Sequence, residues 1–213
     1  MEPYKIVPRD EWLVARKELL AQEKELTRAR DALNAKRRQL PMVEISKEYV
    51  FEGPAGKVKL SGFFEGQSQL VIYHFMFHRD KGEGCPGCSH FADIIGNLSH
   101  VRARDTSFAL VSRAPLAEIE PFKNRMGWTV PWFSSFGSDF NYDFHATTDE
   151  SVGPVEYNYR DKAEMERLGQ TYHLKGEQPG ISVFLHDGDR VYHTYSTYGH
   201  GLDIFLNAYN YLT

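Results

Sequence analysis

An apolar run, Leu70-Val71-Ile72-Tyr73-His74-Phe75-Met76-Phe77, is followed after six residues by Gly84-Cys85-Pro86-Gly87-Cys88-Ser89. Phe91, Ile94, Ile95, Leu98 and Val101 then recur at helical spacing. The apolar run does not alternate, so Gln69 to Phe77 reads as a strand buried on both faces, as in the centre of a parallel sheet. A buried strand, a short polar loop and a Cys-x-x-Cys opening a helix give such a pair the character of a dithiol redox centre. The chain has no other cysteine.

The remaining bulk properties narrow the chemistry. At 213 residues the chain suits one domain with an appendage. A net charge of -4 offers no electrostatic case for nucleic acid or an acidic membrane as partner. No apolar run approaches the roughly 20 residues that cross a bilayer, and Met1-Glu2-Pro3-Tyr4-Lys5 leads into no signal-peptide core. The expected location is the cytoplasm. In a reducing compartment a paired Cys-x-x-Cys is expected to be catalytic or metal-binding rather than a structural disulfide.

Asp10 to Leu40 reads as one long helix, with Trp12, Leu19, Leu26, Leu33 and Leu40 at seven-residue intervals, Asp10 as N-cap and Pro41 as stop. The narrow stripe suits a strap across the chain's own domain, or else a coiled-coil seam in a homodimer. Lys36-Arg37-Arg38 reads as a solvated helix end. Residues 1–41 therefore form an N-terminal helical extension and residues 42–213 the main domain. Within it, Val58, Leu60 and Phe63 suggest a first strand after the turn cluster Gly53-Pro54-Ala55-Gly56. Ser107 to Val111 is a second buried strand, and Pro115 to Gly127 has the Pro-first, Gly-last form of a helix. Residues of about 128–178 read as an insertion, with a short helix from Asp161 to Leu168. Ile181–Leu185 and Arg190–Tyr195 flank Asp187-Gly188-Asp189 as a β-hairpin. Leu202, Phe205, Ala208, Tyr209 and Leu212 close the chain as an amphipathic helix.

Strand, helix, strand, helix, insertion, hairpin, helix is the thioredoxin-like arrangement. The fold expected is α/β, three-layer α/β/α with a mixed sheet. The segments EKELTRARDALNAKRRQLP, YVFEGPAGKVKL, LVIYHFMF, GCPGCS, VSRAPL, RMGWTVPWFSSFGSDFNYDFH and HTYSTYGHGLD also carry a resemblance to one largely bacterial, thioredoxin-like family catalogued as a domain of unknown function. The resemblance spans nearly the whole chain. It implies a thioredoxin-like fold and a dithiol/disulfide activity, with no substrate attached. The chain resembles peroxiredoxins in fold only: were Cys88 their peroxidatic cysteine, Cys85 would stand in place of their Thr or Ser and Lys81 in place of their Pro.

In a dithiol centre one thiolate attacks a disulfide and the second thiol resolves the mixed disulfide. Cys85 at a helix cap, with Pro86 at the first helical position, is placed to be the ionised nucleophile, and Cys88 to resolve. Pro86 and Gly87 between them are expected to tune the pair and meet the substrate. A metal reading would recruit His78 and His90 to the two cysteines, but His90 falls on a different helix face from Cys88, and no metal or other cofactor is expected. His74 reads as a core histidine. A cis-proline facing the cysteines is expected at Pro179, just before the hairpin, with Pro131 as the competing position. Within the aromatic segment Trp128 to Phe144, Trp132 is the first choice for a wall of the substrate cleft. The reading is a thiol-disulfide oxidoreductase acting on a protein or small-molecule disulfide and recharged by an unidentified electron donor. The alternatives are a redox- or metal-sensing module without turnover and a peroxide reductase.

Overall fold

The computed structural model describes residues 5–212. The chain divides into two compact units, one ending at Pro41 and one beginning at Met42. The first is a single helix, α1 (Arg9–Arg37). Pro8, not Asp10, holds the N-cap position, so Asp10 and Glu11 lie in the first turn, where the helix dipole favours negative charge. The helix stops at Arg37, before Leu40, and none of its residues is buried. Trp12, Leu19, Leu26 and Leu33 are all exposed.

In the second unit the main sheet is built from β1 (Val43–Glu44), β2 (Val50–Gly53), β3 (Gly56–Lys59), β4 (Gln69–His74), β5 (Thr106–Ser112), β6 (Trp132–Ser134), β7 (Gly180–Asp187) and β8 (Arg190–Tyr198). Their spatial order is β1-β8-β7-β4-β5-β6-β2-β3. β4 and β5 run parallel, from Gln69 against Thr106 to His74 against Val111. β7 lies antiparallel on the other flank of β4, and β8 antiparallel beyond it. Numbered by their appearance, β4, β5, β7 and β8 stand in the order fourth, third, first, second, with the third strand reversed. That arrangement is the thioredoxin fold. Parallel strands need a crossover, and helix α2 (Pro86–Ile94) supplies the one between β4 and β5. Helix α3 (Leu116–Met126) connects β5 to β6. Pro115 caps α3, and Gly127 closes it with φ of 70°, a left-handed conformation that glycine adopts without steric cost.

Alternation along β4 sends its side chains into two cores. Tyr73 and Phe75 join Phe91 and Ala92 of α2 and Ile119 and Phe122 of α3. Leu70 and Ile72 face Phe51, Phe63, Phe64, Phe140, Phe144 and Phe184 on the opposite side. There the cover is a 3-10 turn, Leu60–Phe64, and a single helical turn, Phe140–Asp143. Three features differ from the sequence expectation. Leu60 and Phe63 belong to that turn and not to a strand, because their side chains are needed to roof the second core. Trp132 begins β6, which pairs in parallel with β5 from Leu110 against Trp132 to Ser112 against Ser134, so the segment after Gly127 first extends the sheet. The C-terminal helix is split into a 3-10 segment, Gly199–Phe205, and a short α-helix, Asn207–Leu212.

Candidate active site

The motif is held by the end of the central strand. Just past β4, the Met76 carbonyl accepts from the Cys85 N–H at 3.0 Å, and the Met76 N–H donates to the Cys88 Sγ at 3.4 Å. The two backbone groups of one residue thus fix both cysteines relative to the sheet. A two-residue ribbon, Phe77–His78 against Glu83–Gly84, returns the chain to the helix start. Gly84 is required there by contact: a Cβ would lie 2.6 Å from the Phe75 ring and 2.9 Å from that of Phe122.

Cys85 is the N-cap of α2, with φ of -57° and ψ of 134°, and Pro86 follows at the first helical position. Its carbonyl accepts the first helical bond, from Ser89 N–H at 2.8 Å. Both cysteines are free thiols, Cys85 partly exposed and Cys88 buried at 2% exposure. The Cys85 thiol is held down to about 5, from an ordinary value of 9.0. The Cys88 thiol donating to it is the largest cause; partial burial opposes, and the backbone N–H groups of Cys88 and Gly87 and the His78 side chain add further donors. Cys88 moves the opposite way, well above its ordinary value, because it shares its proton with Cys85, is buried and sits beside that negative charge. At neutral pH this gives one thiolate at the surface and one thiol beneath it.

Cys85, Gly87 and Cys88 open onto a cleft of about 400 Å³ whose apolar walls include Met76, Phe91, Leu202 and Leu206, with Tyr172 and Pro179 at its rim. Gly87 and Pro179 therefore stand at this cleft, while Pro86 is exposed and does not line it. Trp132 is a correction: at 1% exposure it is a core residue. Its Nε1–H donates to Ser112 Oγ at 3.0 Å and its ring packs on Phe75, 4.4 Å between centroids. The cis-proline expectation is also corrected, since every described peptide bond is trans. The Pro179 carbonyl accepts from the Tyr157 hydroxyl at 2.9 Å, and the Pro131 carbonyl accepts from Leu110 N–H at 2.8 Å within the sheet.

The four-ligand metal arrangement does not assemble. Among the described residues no three or more His, Cys, Asp or Glu side chains gather as a metal would require; His78 serves Cys85, and His90 lies against the Tyr209 ring, 5.9 Å between centroids. His74 is buried, its Nε2 2.9 Å from Ser182 Oγ, and burial lowers its pKa to about 3. Met76, His78, Tyr172, Leu202 and Leu206 were not singled out by sequence as substrate-facing. The available signal for Met76 and His78 was their place just beyond the carboxyl end of a central parallel strand, where α/β folds bind ligands.

Comparison with known families matches residues 1–213 to the family described as "Bacterial protein of unknown function (DUF899)". No functionally curated protein matches. Among solved structures, peroxidoxin BcpB from Mycobacterium tuberculosis is 13% identical with a TM-score of 0.49, over 82% of this chain and 97% of that one. A cysteine mutant of Xylella fastidiosa PrxQ is 14% identical with a TM-score of 0.46, over 78% of this chain and 90% of that one. Xanthomonas campestris peroxiredoxin Q is 15% identical with a TM-score of 0.46, over 75% and 87%. The strand order carries the fold assignment independently of these likenesses. No described helix is long and apolar enough to cross a membrane.

Proposed function

We propose, for a chain that belongs to the bacterial family DUF899, that its reaction is thiol-disulfide exchange. The observation that carries this reading is the unequal placement of two free thiols on one helical turn, Cys85 partly exposed at the helix N-cap and Cys88 buried beneath it, which draws the Cys85 pKa down and pushes that of Cys88 up. The Cys85 thiolate attacks one sulfur of a substrate disulfide, forming a mixed disulfide and releasing the other half as a thiolate. Cys88 then attacks the Cys85 Sγ, forming the Cys85–Cys88 disulfide and releasing the second half. Substrate gains two electrons and the dithiol loses two; a thiol donor from outside the chain restores it. The apolar cleft receives the substrate group next to its disulfide, with Gly87 and Pro179 among the residues that line it.

The test is dithiothreitol-coupled reduction of insulin by the wild type and the two single serine variants. Cys85→Ser is expected to abolish the reaction, and Cys88→Ser to stop it after the first attack. Full turnover by both variants would show that the pair is not the reacting centre. Stoichiometric zinc held by both cysteines in anaerobically purified protein would assign them to a metal site instead.

A further inference from the structure

Within the dithiol reading, resolution places a demand on Cys88 that the reduced geometry does not meet. In the reduced protein its thiol donates to the Cys85 thiolate. Once Cys85 is in a mixed disulfide that acceptor has gone, and Cys88 must ionise at 2% exposure. A charge so buried persists only where donors reach it. One donor is the Met76 N–H, 3.4 Å from the sulfur. The other is a side chain.

We propose that Tyr73 is a catalytic residue of the resolving step, its hydroxyl donating to the Cys88 sulfur and stabilising the thiolate that attacks Cys85. Tyr73 and Cys88 share one buried cluster and line the same cleft, and the phenol is the side-chain group there that favours the Cys88 thiolate. Tyr73 is 2% exposed on β4, and its ring stacks on Phe91 of α2 with centroids 4.0 Å apart and planes 2° from parallel. Phe91 lies three residues after Cys88, on the same helix face, so the stack holds the phenol against the helix that carries its acceptor. Burial, with the neighbouring sulfur charges, pushes the phenol proton loss far above neutrality. Tyr73 is therefore a donor throughout the working range and never a base.

The step balances without it taking a proton. Cys88 loses its proton through the cleft, which both residues line, and the resulting thiolate attacks Cys85 Sγ. The Cys85–Cys88 bond forms as the bond to substrate sulfur breaks, and the departing thiolate takes up the proton. The titratable groups around Cys88 are Cys85 on the same helix, Tyr73 on β4, and at longer range Tyr157 and Tyr172; His78 and Asp203 line the same cleft.

Tyr73→Phe keeps the ring and its stack while removing the donor. The first readout needs no turnover: in a Cys85→Ser background, thiolate absorbance of Cys88 against pH, with and without the Tyr73 hydroxyl. Tyr73→Phe is expected to raise the Cys88 pKa; coincident curves would overturn the proposal. The second is single-turnover kinetics with a chromogenic aryl disulfide. Formation of the mixed disulfide should keep its rate, and its resolution should slow about tenfold, as loss of a hydrogen bond to a charged group implies. Equal slowing of both steps, or of neither, would also overturn it. Failure of the wild type to form a mixed disulfide would instead refute thiol-disulfide exchange, and the titration would still decide whether Tyr73 serves Cys88.

Discussion

Replacing Cys88 by alanine should raise the Cys85 pKa, because it deletes the donor that contributes most to holding the thiolate. A hydrogen bond to a charged group is worth about 1.5–3 kcal/mol, and since Cys85 is partly exposed the lower end applies. At about 1.4 kcal/mol per unit, the shift is about one unit. Cys85 should then titrate about one unit above its native value of about 5, still below an ordinary thiol, since the N–H groups of Gly87 and Cys88 remain. Cys88→Ser keeps a hydroxyl donor at the same place and should stay near the wild type. The assay is the rate of Cys85 alkylation by iodoacetamide across pH 3 to 10, in which only the thiolate reacts. Identical titrations of the wild type, serine and alanine proteins would refute the reasoning, since the Cys88 thiol would then contribute nothing.

A Cys85 pKa two units below the value of about 7 seen in thioredoxin implies a reduction potential about 60 mV less negative than thioredoxin's -270 mV, or about -210 mV; equilibration with glutathione redox buffers measures it, and a value at or below about -270 mV would contradict the thiolate stabilisation. Trp132→Ala should cost about 3–5 kcal/mol of unfolding free energy, read by urea titration, because a fully buried ring is lost from between Phe75 and Phe122; an unchanged midpoint would return Trp132 to the surface. The folded Cys85 pKa of about 5 lies below the ordinary 9.0, so between these values the unfolded state binds more protons than the folded one. Stability of the reduced protein should thus rise with pH across that window and fall as pH drops through about 5. Cys85→Ser should flatten that slope, as denaturant midpoints will show.

The parts of this molecule legible in its sequence are those fixed by local chemistry. The unbroken apolar run before the motif had to be a central strand, and Pro86 after Cys85 had to be a helix start, since a proline nitrogen sacrifices no helical bond there. Asp187-Gly188-Asp189 between two β-rich runs had to be a hairpin. What stayed hidden depended on tertiary partners. Trp132 sits in a segment of aromatics, serines and glycines whose composition suits a cleft wall and a core equally. Its burial follows from β6 docking on β5, a three-residue pairing too short to show a period. Leu60 and Phe63 look like strand residues until Leu70 and Ile72 need a cover. The cleft itself is assembled from Met76, Tyr172 and Leu202, on three separate stretches of the chain, and no spacing rule unites them. Tyr73 read as one apolar residue among eight, and its hydroxyl acquired a role only once the sulfur of Cys88 was found beside it.

Intact mass after one turnover with a small disulfide shows whether Cys85 attacks and Cys88 resolves. The wild type should end two hydrogens lighter, as the Cys85–Cys88 disulfide. Cys88→Ser should accumulate a stable adduct carrying half of the reagent, and Cys85→Ser should remain unmodified over the same interval. Rapid adduct formation on Cys85→Ser, or an unmodified Cys88→Ser protein, would show that Cys85 is not the attacking thiol.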